Sequence, residues 1–323
     1  MKLTSRPPPL RLTALAFSLL LGAAACSTPP AERTSAKTKA TQALRSAGAP
    51  DVLLVNALLR QFADQNTQQA LTFVKQAAAS APERIDIAWL HAQMCVQSRG
   101  CEPEPLNARL LKLDPTNGTA WLGALAQAQQ DKDRAAEDQI LEALSRSKQF
   151  NIYWNTLASR VAVAFSEEVA ATKGDKLSDP LTRAMNQTVN WLSAFAVPAF
   201  QPLAESCGAT RMVNAATAQR CALIAAALQR SDTYLAEGMG LGIAQRIATQ
   251  GTQAATQVNE RIAVARYQRD TAGEIIESQP ERDQLARELL KLMASLPREQ
   301  DVFIAVIRWA NRPLAPTAGK TGQ

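Results

Sequence analysis

"IDIAWLHAQMCV" (residues 85–96) decides the fold, because its Ala88, Trp89, Leu90 triplet returns as Ala120, Trp121, Leu122 in a chain holding only five tryptophans. Trp89, Trp121 and Trp154 lie 32 and 33 residues apart, and Pro50, Pro82 and Pro115 keep the same intervals. Ile85, Trp89, Ala92 and Val96 stand at i, i+4, i+7 and i+11, the spacing of one helix face. Trp121, Leu125 and Ala128 repeat it, as do Phe150, Trp154, Leu157 and Val161. A period of this length is what stacked helical hairpins leave in a sequence, since no single hairpin buries its apolar face alone.

The second half of each unit sharpens the pattern. Ala70, Val74, Ala77 and Pro82, then Ala136, Ile140 and Ala143 with Lys148 in the proline position, resemble the second helix of the tetratricopeptide repeat (TPR). Small residues there let helix backbones approach while the larger one interlocks. Leu54 stands where the first unit would carry tryptophan, and "CEPEPLNARLLKLDP" (residues 101–115) leaves room for only a short second helix. The resemblance spans residues 49–165 and implies an all-α chain, an α-solenoid of TPR-like hairpins followed by further helices. Trp89, Trp121 and Trp154 are expected to be its packing residues. A non-repetitive bundle with coincidental tryptophan spacing is the alternative.

Residues 166–311 continue as helices without a clear period. "NWLSAFAVPAF" (190–200) ends a helix near Pro198, "RCALIAAALQRSDTYLAEG" (220–238) reads as a buried helix and its exit, and Leu285, Leu289, Leu292 and Leu296 form an apolar stripe. "DVFIAVIRWA" (301–310) is apolar on nearly all sides and reads as a core helix, and residues 312–323 as a loose, disordered tail.

At the other end, Lys2, Arg6 and Arg11 precede an apolar run from Leu12 to Ala25, too short for a mature membrane span and typical of an export leader. Ala23, Ala24 and Ala25 running into Cys26 resemble the lipobox of bacterial lipoproteins, with Ala23 where that family usually carries leucine. The resemblance implies removal of residues 1–25, lipidation of Cys26 and, with Ser27 next, sorting to the periplasmic face of the outer membrane. Cleavage at an ordinary A-x-A site is the alternative. Residues 26–48 are polar and read as a tether reaching about 25–30 Å.

Cysteine arithmetic agrees with export. Setting Cys26 aside leaves Cys95, Cys101, Cys207 and Cys221, for which three pairings exist. The local one, Cys95 with Cys101 and Cys207 with Cys221, needs least rearrangement of a helical chain. Four reduced, buried thiols are the alternative.

Composition narrows function more than it names it. The formal charge of +6 falls to +3 once Lys2, Arg6 and Arg11 are removed, and no basic stripe interleaved with aromatics points to nucleic acid. His91 is the only histidine, which excludes multi-histidine metal sites and His-based triads, and it is expected partly exposed on its helix. "AGKT" (318–321) lacks the earlier glycine of a phosphate loop, and Gly238, Gly240 and Gly242 lack dinucleotide-binding spacing and read as a tight turn between helices. Glu167 and Glu168 are adjacent and therefore diverge on a helix. Neither a cofactor nor a metal is implied. These readings lead to a non-enzymatic, lipid-anchored scaffold whose repeat helices bind a periplasmic protein or peptide in envelope assembly or secretion. The rival is a peptidoglycan-acting enzyme with an appended helical domain, which a cleft of converging Glu or Asp in residues 166–311 would favour.

Overall fold

The computed structural model describes residues 50–171 and 180–316. Among them are fourteen α-helices and no β-strand, so the chain is all-α. In chain order they are α1 (Pro50–Asp64), α2 (Thr67–Ser80), α3 (Ile85–Val96), α4 (Glu104–Leu113), α5 (Leu122–Gln130), α6 (Arg134–Ser145) and α7 (Trp154–Ala171), with a 3-10 turn at Gly118–Trp121 ahead of α5. There follow α8 (Pro180–Phe195), α9 (Gln201–Ser206), α10 (Ala215–Leu228), α11 (Tyr234–Ile247), α12 (Gln253–Ser278), α13 (Arg282–Ser295) and α14 (Glu299–Trp309).

Local chemistry sets many of the boundaries. Asn66, Asp133, Asn214, Thr233 and Thr252 each turn a side-chain oxygen onto a backbone N–H of the first turn of the helix that follows, satisfying a donor without an intrahelical partner. Pro105 and Pro202 stand in the first turns of α4 and α9, where a missing N–H is harmless.

Neighbouring helices pack as hairpins, α1 with α2, α5 with α6, α7 with α8 and α10 with α11. The stacking does not simply follow chain order. The α7–α8 pair returns against α1 and α3, while α6 and α5 meet α10 and α9 instead. Three apolar cores result. The first gathers α1–α4 with α7 and α8, the second α5, α6 and α9–α11, and the third α7, α8 and α12–α14. Trp154 packs on the edges of both the first and the third.

The first hairpin keeps the face read from sequence, with Ala70, Val74 and Ala77 fully buried on α2. On α6 that face is displaced by one residue, since Leu141 and Leu144 are buried while Ile140 and Ala143 are only partly so. α3 departs further. Val96 is 55% exposed, yet Asp86 through Ala92 are all buried, because α3 sits between α2, α4, α7 and α8 and has no solvent face to spare. His91 is therefore buried rather than partly exposed.

Polar clamps tie the layers. Asp51 on α1 meets Arg84 ahead of α3 and Arg160 on α7, at 3.1 and 2.9 Å. Burial alone would raise the Asp51 carboxyl, but the two guanidiniums outweigh it and hold it below its ordinary range. Disulfides join Cys95 to Cys101 and Cys207 to Cys221, with Cα separations of 5.3 and 5.7 Å, so the local pairing is the one formed.

Candidate functional site: a buried carboxylate junction beside an apolar cavity

Between α6 and α7 the chain runs without helix from Gln149 to Tyr153, and two sets of side chains hold it. On one side Asn117 accepts from the Asn151 N–H at 3.0 Å and donates to the Asn151 carbonyl at 2.9 Å and to the Tyr153 hydroxyl at 2.8 Å. Tyr153, at a φ of 59°, in turn donates to Asp114 at 3.1 Å. Gly118 is required here because a Cβ would stand 2.5 Å from the Phe150 ring.

The other side is built by the five residues between α10 and α11. The Ser231 hydroxyl accepts from Phe150 N–H at 2.7 Å, and the Asp232 carboxylate accepts from the N–H of Ile152 at 3.0 Å and of Trp154 at 3.3 Å. An extended segment has no ladder of its own, so these side chains supply the acceptors its buried N–H groups need. Burial pushes the Asp232 carboxyl up to about 6, although the N–H groups of Ile152, Trp154 and Tyr153 favour its charged form.

The start of α14 completes the junction. Glu299 donates its N–H to the Asp232 carbonyl at 2.8 Å, while its carboxylate accepts from Tyr234 N–H at 2.8 Å. Gln300 bridges the Ser231 carbonyl and the Glu237 carboxylate at 3.3 and 3.0 Å. Burial carries the Glu299 carboxyl up to about 7, with nearby Asp232 and Glu237 adding to the rise and the Tyr234 N–H and Arg269 opposing it.

Glu299 also lines a cavity of about 60 Å³ between α7, α8, α12, α13 and α14. Trp154 and Asn155 stand in the same wall, and the rest is apolar, with Met185, Val189, Ile276 and Phe303 among the lining residues. The arrangement therefore sets one carboxyl able to exchange a proton near neutral pH against an apolar hollow. Asn155 is committed to the Leu296 carbonyl at 2.8 Å.

The sequence-derived residues are dispersed rather than gathered here. Cys26 and the "AGKT" stretch lie outside the described residues. Trp89 is wholly buried in α3 and donates its indole N–H to the Ala196 carbonyl at 2.9 Å; Trp121 ends the 3-10 turn beside the second core; Trp154 begins α7 at the cavity. The three indoles occupy three different settings. Gly238, Gly240 and Gly242 lie inside α11 instead of forming a turn, and Gly240 lets α11 press onto α10, where a Cβ would fall 2.6 Å from the Ala225 carbonyl oxygen. Burial, with Arg109 and Lys75 nearby, pushes His91 down to about 4, so it is neutral at physiological pH. No group of three or more potential metal ligands occurs among the described residues.

Asp232 and Glu299 escape sequence reasoning because "SDT" before a helix reads as capping, and Thr233 does cap α11. The one available signal is a run of five polar residues, Gln229 to Thr233, between two apolar helices. The chain matches no family model, no curated protein and no solved structure.

Proposed function

We propose that this chain is an outer-membrane-anchored, periplasmic helical scaffold that binds a protein or peptide partner in envelope assembly or secretion. The observation that carries the reading is the cysteine pattern. The two disulfides use four of the five cysteines, and the fifth is Cys26, at the end of an export-type leader. Membrane attachment would then rest on the lipid, because no described helix is long and apolar enough to cross a membrane. Several acyl chains together make a lasting anchor where one would not.

For the partner, Trp309 at 62% exposure, Leu235 and Leu223 offer apolar side chains to solvent, whereas Trp89 is sealed inside and acts in packing. Metabolic labelling with a tagged fatty acid should mark the wild-type chain and not Cys26→Ala. Crosslinking of the labelled protein in intact envelopes should yield one reproducible partner, and Trp309→Ser with Leu235→Ser should diminish it. Absence of label on the wild type overturns the anchor; absence of a reproducible partner overturns the scaffold.

A second reading, an enzyme acting on the envelope, draws on Glu299, whose near-neutral carboxyl suits a general acid. The nearly wholly apolar walls beside it are ill suited to a sugar chain. Release of muropeptides by the purified protein, lost in Glu299→Gln, would establish that reading.

A further inference from the structure

The cavity beside Glu299 has a neighbour across a shared wall. A second hollow of about 20 Å³ shares Met185 and Ile276 with it, lies between α8, α12 and α13, and is lined also by Leu285, Ala286, Thr182, Asn186 and Arg282. By the measure in which one water needs roughly 10–15 Å³, the first hollow would hold several waters. Its walls give water almost nothing to bond to, and a dry apolar hollow of this kind can take up an apolar guest.

The two hollows differ in chemistry. The first hollow has Trp154, Phe303 and Glu299 among its lining residues and an almost wholly apolar wall. At the second the Arg282 guanidinium donates to the Glu277 carbonyl at 3.2 Å and has no carboxylate within 4.0 Å among the described residues. The neighbouring acid, Asp283, is turned onto the Thr182 N–H and hydroxyl at 2.9 and 3.0 Å. Met185 lines both hollows and Met293 the first, and unbranched, polarisable side chains adapt to a flexible guest better than branched ones.

We infer that the seam between α8, α12 and α13 binds a single-chain amphiphile, its hydrocarbon tail in the hollow lined by Met185, Ile276 and Phe303 and its anionic head at Arg282. This goes beyond the scaffold reading and does not depend on the lipid anchor, since the tail site lies within the described fold. The ligand class is a linear fatty carboxylate, its chain against the apolar walls and its carboxylate at the guanidinium.

The test uses the full mature chain and octanoate, which stays monomeric at working concentrations, with 1-octanol as the uncharged counterpart. Titration calorimetry should show saturable octanoate binding below about 1 mM, as expected for a ligand of this size, with a melting temperature that rises with ligand concentration. Arg282→Ala should weaken octanoate at least tenfold and leave 1-octanol unchanged. Val189→Phe, which fills the hollow, should weaken both at least tenfold. Because that variant could fail to fold, methyl-labelled methionine spectra of the unaltered chain supply an independent readout, in which octanoate should shift the Met185 and Met293 signals. No saturable binding, binding unchanged in a folded Val189→Phe chain, or shifts confined to the other methionines would each overturn the proposal. Equal loss of octanol in Arg282→Ala would overturn the role of the anionic head. None of these results bears on whether Cys26 carries lipid, so the two readings fail separately.

Discussion

Three glycines in one helix should respond in opposite directions to the same substitution. Gly238, Gly240 and Gly242 all lie in α11, and alanine is the better helix former by roughly 1 kcal/mol. At Gly238 and Gly242 a Cβ meets nothing within 4 Å, so each alanine should stabilise by about 0.5–1 kcal/mol. At Gly240 the added carbon would sit 2.6 Å from the Ala225 carbonyl oxygen and 2.8 Å from Leu228 Cβ. Ordinary contact needs about 3.5 Å, so α10 and α11 must part by several tenths of an ångström against backbone that cannot rotate away. Overpacking of this kind costs about 1–3 kcal/mol, which against a propensity gain of roughly 1 kcal/mol leaves a net loss on the order of 1 kcal/mol. Thermal melts monitored by circular dichroism should place Gly240→Ala a few degrees below wild type and the other two at or above it. A Gly240→Ala chain that melts above wild type would refute the close approach of α10 and α11.

Other consequences can be checked alongside. Trp89→Phe should destabilise by about 2–3 kcal/mol, because it leaves the buried Ala196 carbonyl without its 2.9 Å donor and opens space in the first core; Trp121→Phe, only partly buried, should cost about 1 kcal/mol or less, and equal losses in urea titrations would restore a common role for the indoles. Removing the Cys207–Cys221 bridge by a double serine substitution should cost about 3 kcal/mol and removing Cys95–Cys101 about 2 kcal/mol, since the former closes the longer loop; a reversed order of denaturation midpoints would contradict this. The folded chain holds protons on Asp232 and Glu299 up to about 6 and 7, whereas the unfolded chain releases them near 3.8 and 4.5. The stability these groups allow is therefore greatest below about pH 4 and drains as pH rises toward 7. Glu299→Gln should consequently gain on wild type by on the order of 2 kcal/mol between pH 5 and pH 8, and a constant difference across that range would show that Glu299 is not shielded.

The sequence announced its helices clearly and their neighbours poorly. Tryptophan spacing and apolar periodicity report where a helix recurs, and the all-α class and the core helix over Val302, Phe303, Val306 and Ile307 follow from them, while Pro198 marks the helix end that falls at Phe195. They cannot say which face meets which partner once helices far apart in the chain come together. Hence the apolar spacing points Ile140 inward on α6 while Leu141 and Leu144 are the buried pair, and it leaves His91 partly exposed although α3 is enclosed. The glycines of α11 were misread for a related reason. Alternating glycines are usual in turns, and only the proximity of α10 explains one inside a helix. The junction around Asp232 was illegible because its acceptors serve N–H groups some 80 residues earlier, a pairing no local pattern encodes.

The return of α7 and α8 onto α1 and α3 bears on how this molecule can change size. An open array gains or sheds units freely, because each meets only the next. Here the same two helices roof the first core and floor the third, and Asp232 reaches back to grip the residues leading into α7. An extra hairpin inserted ahead of Trp154 would have to be accommodated by both. Trimming after residue 165 would strip α8 from Trp89 and uncover its indole. Duplication of a hairpin at that point would thus have to preserve two cores at once.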